Sequence, residues 1–259
     1  HVKIALGIKN AENITNINGG LGLASLATYQ VNFTNTIALI AGTNTGTAYI
    51  HNINTGTIQS TSDDTLIISI DAITPATGKL VIGEEATGTW CGWCPRGAVA
   101  LNWMDKDYAG YWQGIAVHNA DPMADIDYDN SLGLYIGGYP SGLVDRGLEI
   151  DPSDFKQDFM QRIIIPPSGI ISNGAELIGD TLKVSLTVDI QTAINGNYKL
   201  ACVLVEDSVT GAGSGWGQAN SYSGGSDLID VDGTNWNTLP ASVPYTLMIY
   251  RHVARGIAP

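Results

Sequence analysis

The sequence predicts a central α/β domain flanked by two all-β, sandwich-like domains. Three observations lead there. Between residues 79 and 167, apolar runs alternate with helix-spaced segments, the pattern of strands joined by crossover helices. On either side, short β-type runs are punctuated by Gly, Asn and Thr. Charged residues make up 14% of the chain, where roughly 25% is usual, and turn-forming polar residues fill the gap.

Residues 1–77 are expected to form the first all-β domain. His1, Val2, Lys3 and Ile4 read as the start of a strand, so any secretory signal is expected to have been removed ahead of them. Residues 37–40 and 65–70 are the clearest β runs, and 18–20, 42–44 and 54–56 are turn signals. A linker over 74–78 closes this domain.

Residues 78–167 form the predicted α/β domain. The run 79–83 is apolar throughout, as in a strand covered on both faces. Helix spacing of Val99, Leu101, Trp103 and Met104 predicts a helix over 95–108. A second strand over 114–118, a helix over 125–135 and a third strand over 141–144 follow. Asp151, Pro152, Ser153 and Asp154 open a last helix with an acidic first turn.

Residues 168–259 return to β texture. Period-two alternation over 181–188 predicts a half-buried strand. Residues 200–205 form an apolar strand in which Cys202 reads as an inert buried thiol, 210–225 a Gly/Ser-rich loop, and 245–251 a final strand.

The formal net charge of −13 comes from 12 Lys and Arg against 25 Asp and Glu, with no basic cluster. Such a surface repels phosphate backbones, so nucleic acid is not an expected partner. No apolar run reaches the length of about 18 residues that a membrane-spanning helix needs, so no transmembrane segment is expected. Three cysteines are too few to staple a small fold.

Two of them, Cys91 and Cys94, form a C-x-x-C within Trp90, Cys91, Gly92, Trp93, Cys94, Pro95 and Arg96. The spacing places the first sulfur at a helix start, where unpaired amides and the positive dipole end favour a thiolate. Gly92 allows close backbone approach, Pro95 suits a first helical turn, and Arg96 adds positive charge. Cys91 is therefore the expected nucleophile and Cys94 the resolving thiol.

The Trp-Cys-x-x-Cys after a buried strand resembles the thioredoxin superfamily. The string from Glu84 to Gly97 is similar to the outer-membrane-protein-28-like family of secreted or envelope proteins, as are 118–123 and Gly138, Tyr139, Pro140, Ser141 and Gly142. The resemblance covers roughly residues 79–147 and extends weakly into 251–255. It implies a thioredoxin-like central domain and an extracytoplasmic location. It also implies that Pro140 is a cis-proline beside the redox pair, a bond found at about 5–6% of X–Pro positions. Glu85, six residues before Cys91, matches a buried acid that accepts the second thiol's proton, with Glu in place of the usual Asp. Trp90, Trp93, Tyr139 and His118 are the candidate substrate contacts. Gly92 and Trp93 depart from the common Gly-Pro, so oxidant and reductant are not separated, and such pairs span about 150 mV.

Other readings of these residues stand beside this one. Glu84 and Glu85 are either a buried proton acceptor with its neighbour or a pair solvated at a strand end. His118 is either a hydrogen-bonded interior histidine or a group that tunes the thiols or binds substrate. A zinc site needs four ligands and lacks a second pair. Asp125, Asp127 and Asp129 start like a calcium loop but have Asn130 and Ile136 where Gly and Glu are required; Asp227, Asp230 and Asp232 are a similar weak case. No metal and no cofactor are expected. Asn13 and Asn32 head glycosylation sequons. Trp216, Tyr222 and Trp236 either grip a partner or cap a core.

The expected function is thiol–disulfide exchange on protein substrates bearing disulfides or thiols, supplied by an unidentified redox partner protein. The alternative is a cell-surface binding or adhesion protein in which the thioredoxin-like domain is a redox-inert scaffold.

Overall fold

The structure, a computed structural model, describes residues 2–6, 12–15, 37–50 and 65–258, with side chains over 37–48 and 65–258. It divides into two compact units, His1–Thr74 and Pro75–Pro259. In the first, β1 (Val2–Leu6), β2 (Glu12–Thr15), β3 (Gly42–Ile50) and β4 (Thr65–Ala72) form an antiparallel sheet in the order β2-β1-β3-β4. Residues 37–40 are not a strand, and the turn signal at 42–44 instead opens β3. The Asn44 side chain explains the shift: it bonds both the amide and the carbonyl of Ile40, taking that backbone out of any ladder. The turn signals at 18–20 and 54–56 and the sequon at Asn32 lie outside the described residues, and of Asn13 only the backbone, in β2, is described.

The second unit is a mixed α/β assembly. Its elements run β5 (Val81–Thr87), α1 (Pro95–Asp107), β6 (Trp112–His118), α2 (Ile126–Leu132), β7 (Ser141–Val144), α3 (Phe155–Arg162), β8 (Gly169–Ile178), β9 (Thr181–Ile190), β10 (Cys202–Glu206), β11 (Gln218–Ala219), β12 (Ser242–Val243) and β13 (Val253–Ala258). A five-stranded sheet has the order β10-β13-β6-β5-β7. Here β5 and β6 run parallel in register from Val81↔Trp112 to Thr87↔His118, and β7 pairs with β5 antiparallel. β13 meets β6 in parallel and β10 pairs with β13 antiparallel.

Strand alternation distributes the side chains between two faces. On one, Ala86, Ile115, Val117, Leu143 and Ala254 pack on Tyr128 and Leu132 of α2. On the other, Trp112 meets Phe155 tilted and Phe159 edge-on, both of α3, while Val99, Leu101 and Met104 are buried along α1. Pro95 in the first turn starts α1, as expected of a residue without an amide hydrogen. Asp125 caps α2 by accepting from the Tyr128 amide, so the acid-rich stretch at 125–129 serves a helix start.

The segment after residue 167 differs from a separate sandwich. β10 and β13 extend the central sheet beyond β6, β8 and β9 form a two-stranded ladder of their own, and β11 pairs with β12. β13 covers the open β6 edge, where Val253 and Ala254 are buried, and β10 pairs with the far side of β13, a free edge being costly to leave exposed. The last strand is Val253–Ala258 and not 245–251, which holds a 3-10 turn, Tyr245–Leu247. Cys202 is half-buried and opens β10. Trp236 is buried in a cluster with Val99 and Val243, against which Tyr222 packs, so it caps a core. None of the described helices is long and apolar enough to cross a membrane, and no cluster of metal-ligating side chains occurs among the described residues.

Candidate functional site

The C-x-x-C lies where β5 hands the chain to α1. After Thr87, a tight turn returns the Cys91 amide to the Gly88 carbonyl, the Cys94 amide then bonds the Cys91 carbonyl, and the Gly97 amide bonds the Cys94 carbonyl. Coiling through these bonds, the motif enters the helix with Cys94 as its N-terminal flanking residue. Cys91 and Cys94 are joined in a disulfide, with Sγ–Sγ 2.10 Å and Cα–Cα 5.4 Å. Both are buried, at 4% and 2% exposure.

Glu84 and Glu85 have opposite fates because successive strand residues face opposite ways. Glu84 accepts a 2.6 Å bond from the Tyr128 hydroxyl and pairs with Arg146. Glu85 points to the α1 face, fully buried, and neither carboxyl oxygen has a hydrogen-bond partner. Burial pushes its pKa up to about 8; the nearby Thr87 hydroxyl, without closing a bond of good geometry, and the Arg96 charge pull weakly the other way. Glu85 is therefore an interior acid, not a solvated strand-end residue. With Cys94 and His118 it lines a cavity of about 60 Å³.

Arg96 does not offer a free charge to the sulfurs. Its Nε and an Nη donate to both oxygens of Asp151, the shorter bond 2.6 Å, and its other Nη donates to the Trp93 carbonyl at 3.3 Å. The Asp151 bond raises the guanidinium pKa and offsets the charge locally. The pairing was not legible because Asp151 lies 55 residues away in sequence.

The peptide bond between Tyr139 and Pro140 is cis, immediately before β7. Tyr139 meets Trp90 edge-on at 5.3 Å between ring centroids, and its hydroxyl donates to Asp129. Burial, with Asp129 adding to it, raises the Tyr139 pKa to about 12. Trp90 donates to the Asn119 carbonyl, and Trp93 stands edge-on to Tyr222 at 5.2 Å. Two half-exposed indoles, at 51% and 52%, thus flank a buried disulfide. His118 ends β6 inside the protein: its Nδ1 lies 2.7 Å from Asp121, which also accepts the amides of Thr89 and Met123. It lines the cavity beneath the motif and not the surface beside the indoles.

A second segment, loop-like in its sequence, lies across the motif. The buried Gln218 carboxamide donates to the carbonyls of Gly88 and Cys91, the latter at 3.0 Å. The Ala219 amide bonds Thr89, and the Ser221 amide bonds Gly92. A Cβ on Gly92 would lie 2.3 Å from the Ser221 hydroxyl, so the glycine accommodates this overlying chain. Nothing local in a Gly/Ser-rich stretch announces such a role, whereas the i, i+3 spacing of His118 and Asp121 is a local signal of their own pairing.

No protein-family model matches the chain, and no curated protein does. Two solved structures resemble it distantly. One is HBP35 of Porphyromonas gingivalis, at 16% identity and TM-score 0.46, with 72% of this chain and 58% of that one covered. The other is the crystal structure of a structural-genomics target from Agrobacterium tumefaciens, at 16% identity and TM-score 0.38, covering 71% of this chain and 73% of that one.

Proposed function

We propose that the chain is an extracytoplasmic thiol–disulfide oxidoreductase, built on a thioredoxin-like domain within the second unit, that acts on protein disulfides through Cys91 and Cys94. The observation that carries this reading is a bonded cysteine pair at a helix start with an unpartnered buried carboxyl beneath it. In the reduced protein, the Cys91 thiolate attacks a substrate disulfide, one substrate sulfur leaves as thiolate, and a mixed disulfide forms. Cys94 gives its proton to Glu85 and attacks Cys91 Sγ, which closes the internal disulfide and releases the second substrate thiolate. Two electrons pass to the substrate, and a partner dithiol restores them by the reverse steps. A carboxyl at about 8 is matched to a thiol, whose free value is about 8.5, so the proton moves either way at small cost.

Trp90, Trp93 and Tyr139 supply the surface on which an extended substrate segment rests, next to the backbone at Pro140. A location outside the cytoplasm fits a pair held as a disulfide and the sequence resemblance to envelope proteins. Insulin reduction by the wild type and by Cys91→Ser tests the proposal: turnover is expected from the first and none from the second, and equal rates would remove it.

One observation favours the second reading, a surface-binding protein with an inert scaffold: Gln218, Ala219 and Ser221 bond across the motif and both sulfurs are buried. The pKa of the reduced Cys91 separates the two. A value near the free one of about 8.5 supports the scaffold, and a clearly lower one the enzyme.

A further inference from the structure

We propose that His252 is a proton relay that connects the buried Glu85 to the surface carboxylate of Asp207. This rests on the disulfide-exchange reading above and adds the residue that restores the acid after each transfer. The need arises from burial. When the disulfide opens, a thiolate of the attacking dithiol bonds Cys91 Sγ, and the electron pair of the broken bond stays on Cys94 Sγ. Glu85 donates its proton there and is left as a carboxylate with no protein hydrogen-bond partner and no exposure at the surface. An isolated buried charge is costly, so a proton must follow.

The cavity beneath the disulfide provides the route. Its wall includes Glu85, Cys94, Asn102, Asp230 and His252. At about 60 Å³ it has room for several waters, each needing about 10–15 Å³ by this measure, and Glu85, Asn102, His118 and His252 offer them polar partners in an otherwise largely apolar wall. His252 lies between this space and the exposed Asp207. On the inner side, Nε2 lies 3.3 Å from Asn102 Oδ1, and Asn102 Nδ2 donates to both Asp230 oxygens at 3.0 Å. That carboxylate orients the amide with its oxygen toward the ring, which assigns the proton of the neutral imidazole to Nε2, the cavity side. On the outer side, Nδ1 is 4.0 Å from Asp207 Oδ1, which also accepts the His252 amide at 2.7 Å.

Exposure decides between this histidine and His118, which shares the cavity. The Asp121 side chain that holds His118 is 1% exposed, whereas the Asp207 side chain is 65% exposed. His118 leads to an interior carboxylate; His252, itself buried, leads to an exposed one. The groups around His252 pull both ways. Burial and Arg251 disfavour the imidazolium, while Asp207, Asp105 and Asp230 favour it, and its pKa lies below the ordinary histidine value. The resting ring is neutral, with a proton to give on Nε2 and a lone pair on Nδ1 to receive another from solvent. Delivery therefore moves one proton from Nε2 through cavity water to Glu85, and one from solvent to Nδ1; the reverse run takes the proton from Glu85 to Nε2 and releases one from Nδ1, which leaves the carboxylate ready to accept from Cys94.

The test uses the full chain and its reduction by excess dithiothreitol, followed by tryptophan fluorescence from pH 6 to 9. His252→Gly suits the backbone, whose φ of 58° is left-handed, and leaves a hole of imidazole size. It is expected to slow reduction by about tenfold near neutral pH, with added imidazole restoring the rate in the variant and not in the wild type. His252→Asn, also tolerant of that φ, should slow reduction without rescue, and the exposed Asp207→Asn should slow it by a smaller factor. Wild-type rates in folded His252 variants, or slowing that imidazole does not relieve in His252→Gly, overturn the relay. If neither His252 variant folds, a wild-type rate and pH profile in Asp207→Asn overturns it. Failure of the wild type to reduce insulin removes the oxidoreductase reading and the relay together, whereas insulin turnover with full-rate His252 variants removes the relay alone.

Discussion

A Cβ placed on Gly97 would lie 2.0 Å from Oε1 of Glu85 and 2.3 Å from its Cδ. The acid and the first turn of α1 are thus fitted to each other, and the missing side chain at 97 is the space in which the carboxyl sits. Gly97→Ala alone should destabilise the protein by roughly 1–3 kcal/mol through overpacking, despite a helix-propensity gain of about 1 kcal/mol. In a Glu85→Ala background the same change should cost nothing or stabilise. Denaturant unfolding of the four proteins in the cycle measures the coupling, and additive effects would contradict the fit.

The raised pKa of Glu85 carries a definite pH dependence. The folded-state value, about 8, lies above the ordinary 4.5, so between those pH values the native state binds more protons than the unfolded one. Stability must fall as pH rises through that window, by an amount on the order of a few kcal/mol. Wild type should therefore be more stable at pH 5 than at pH 8.5, and Glu85→Gln should flatten that difference. Parallel slopes for the two proteins across the window would show Glu85 ionising normally.

Gln218 is the clamp on the motif. Its carboxamide donates to the carbonyls of Gly88, Cys91 and Ala219. Gln218→Ala should cost about 1–3 kcal/mol, the penalty of leaving buried acceptors unpaired. It should also quicken reduction of the disulfide by dithiothreitol, because the overlying segment is then held less firmly. Unchanged reduction kinetics would show that the segment does not restrict access.

The Arg96–Asp151 pair implies an asymmetry between two charge removals. Arg96→Ala should barely move the thiol pKa of reduced Cys91, since Asp151 already offsets the guanidinium. Asp151→Asn leaves that charge uncompensated near the helix start and should lower the Cys91 pKa. Thiol titration with iodoacetamide against pH gives both values.

Trp90 and Trp93 offer a further check on the proposed substrate surface. Trp90→Ala should raise the KM for insulin while leaving the rate with a small disulfide such as dithionitrobenzoate nearly unchanged. Equal losses with both substrates would point to a change at the sulfurs themselves.

Much of the second unit was open to local reading. Apolar runs and helix spacing located β5, β6, β7 and α1 within a few residues, since a strand covered by helices needs continuous apolar sequence and Pro95 marks a helix start by its own chemistry. The disulfide-forming pair was likewise legible in its spacing, and the Tyr139–Pro140 junction in the resemblance. Charge partners were not. Glu84 and Glu85 look alike in sequence, and only the pleat of β5 sends one to Tyr128 and Arg146 and the other to Gly97.

By itself the sequence determined the helix start, the redox-capable spacing and the alternation of strand with helix, because each depends on residues within a turn or two of one another. The tertiary structure alone decided that β10 and β13 complete the central sheet, that Gln218 and Ser221 close over the motif, and that His252 shares a cavity with Glu85. Those contacts join segments far apart in the chain, and the burial that selects them exists only once the whole sheet has formed.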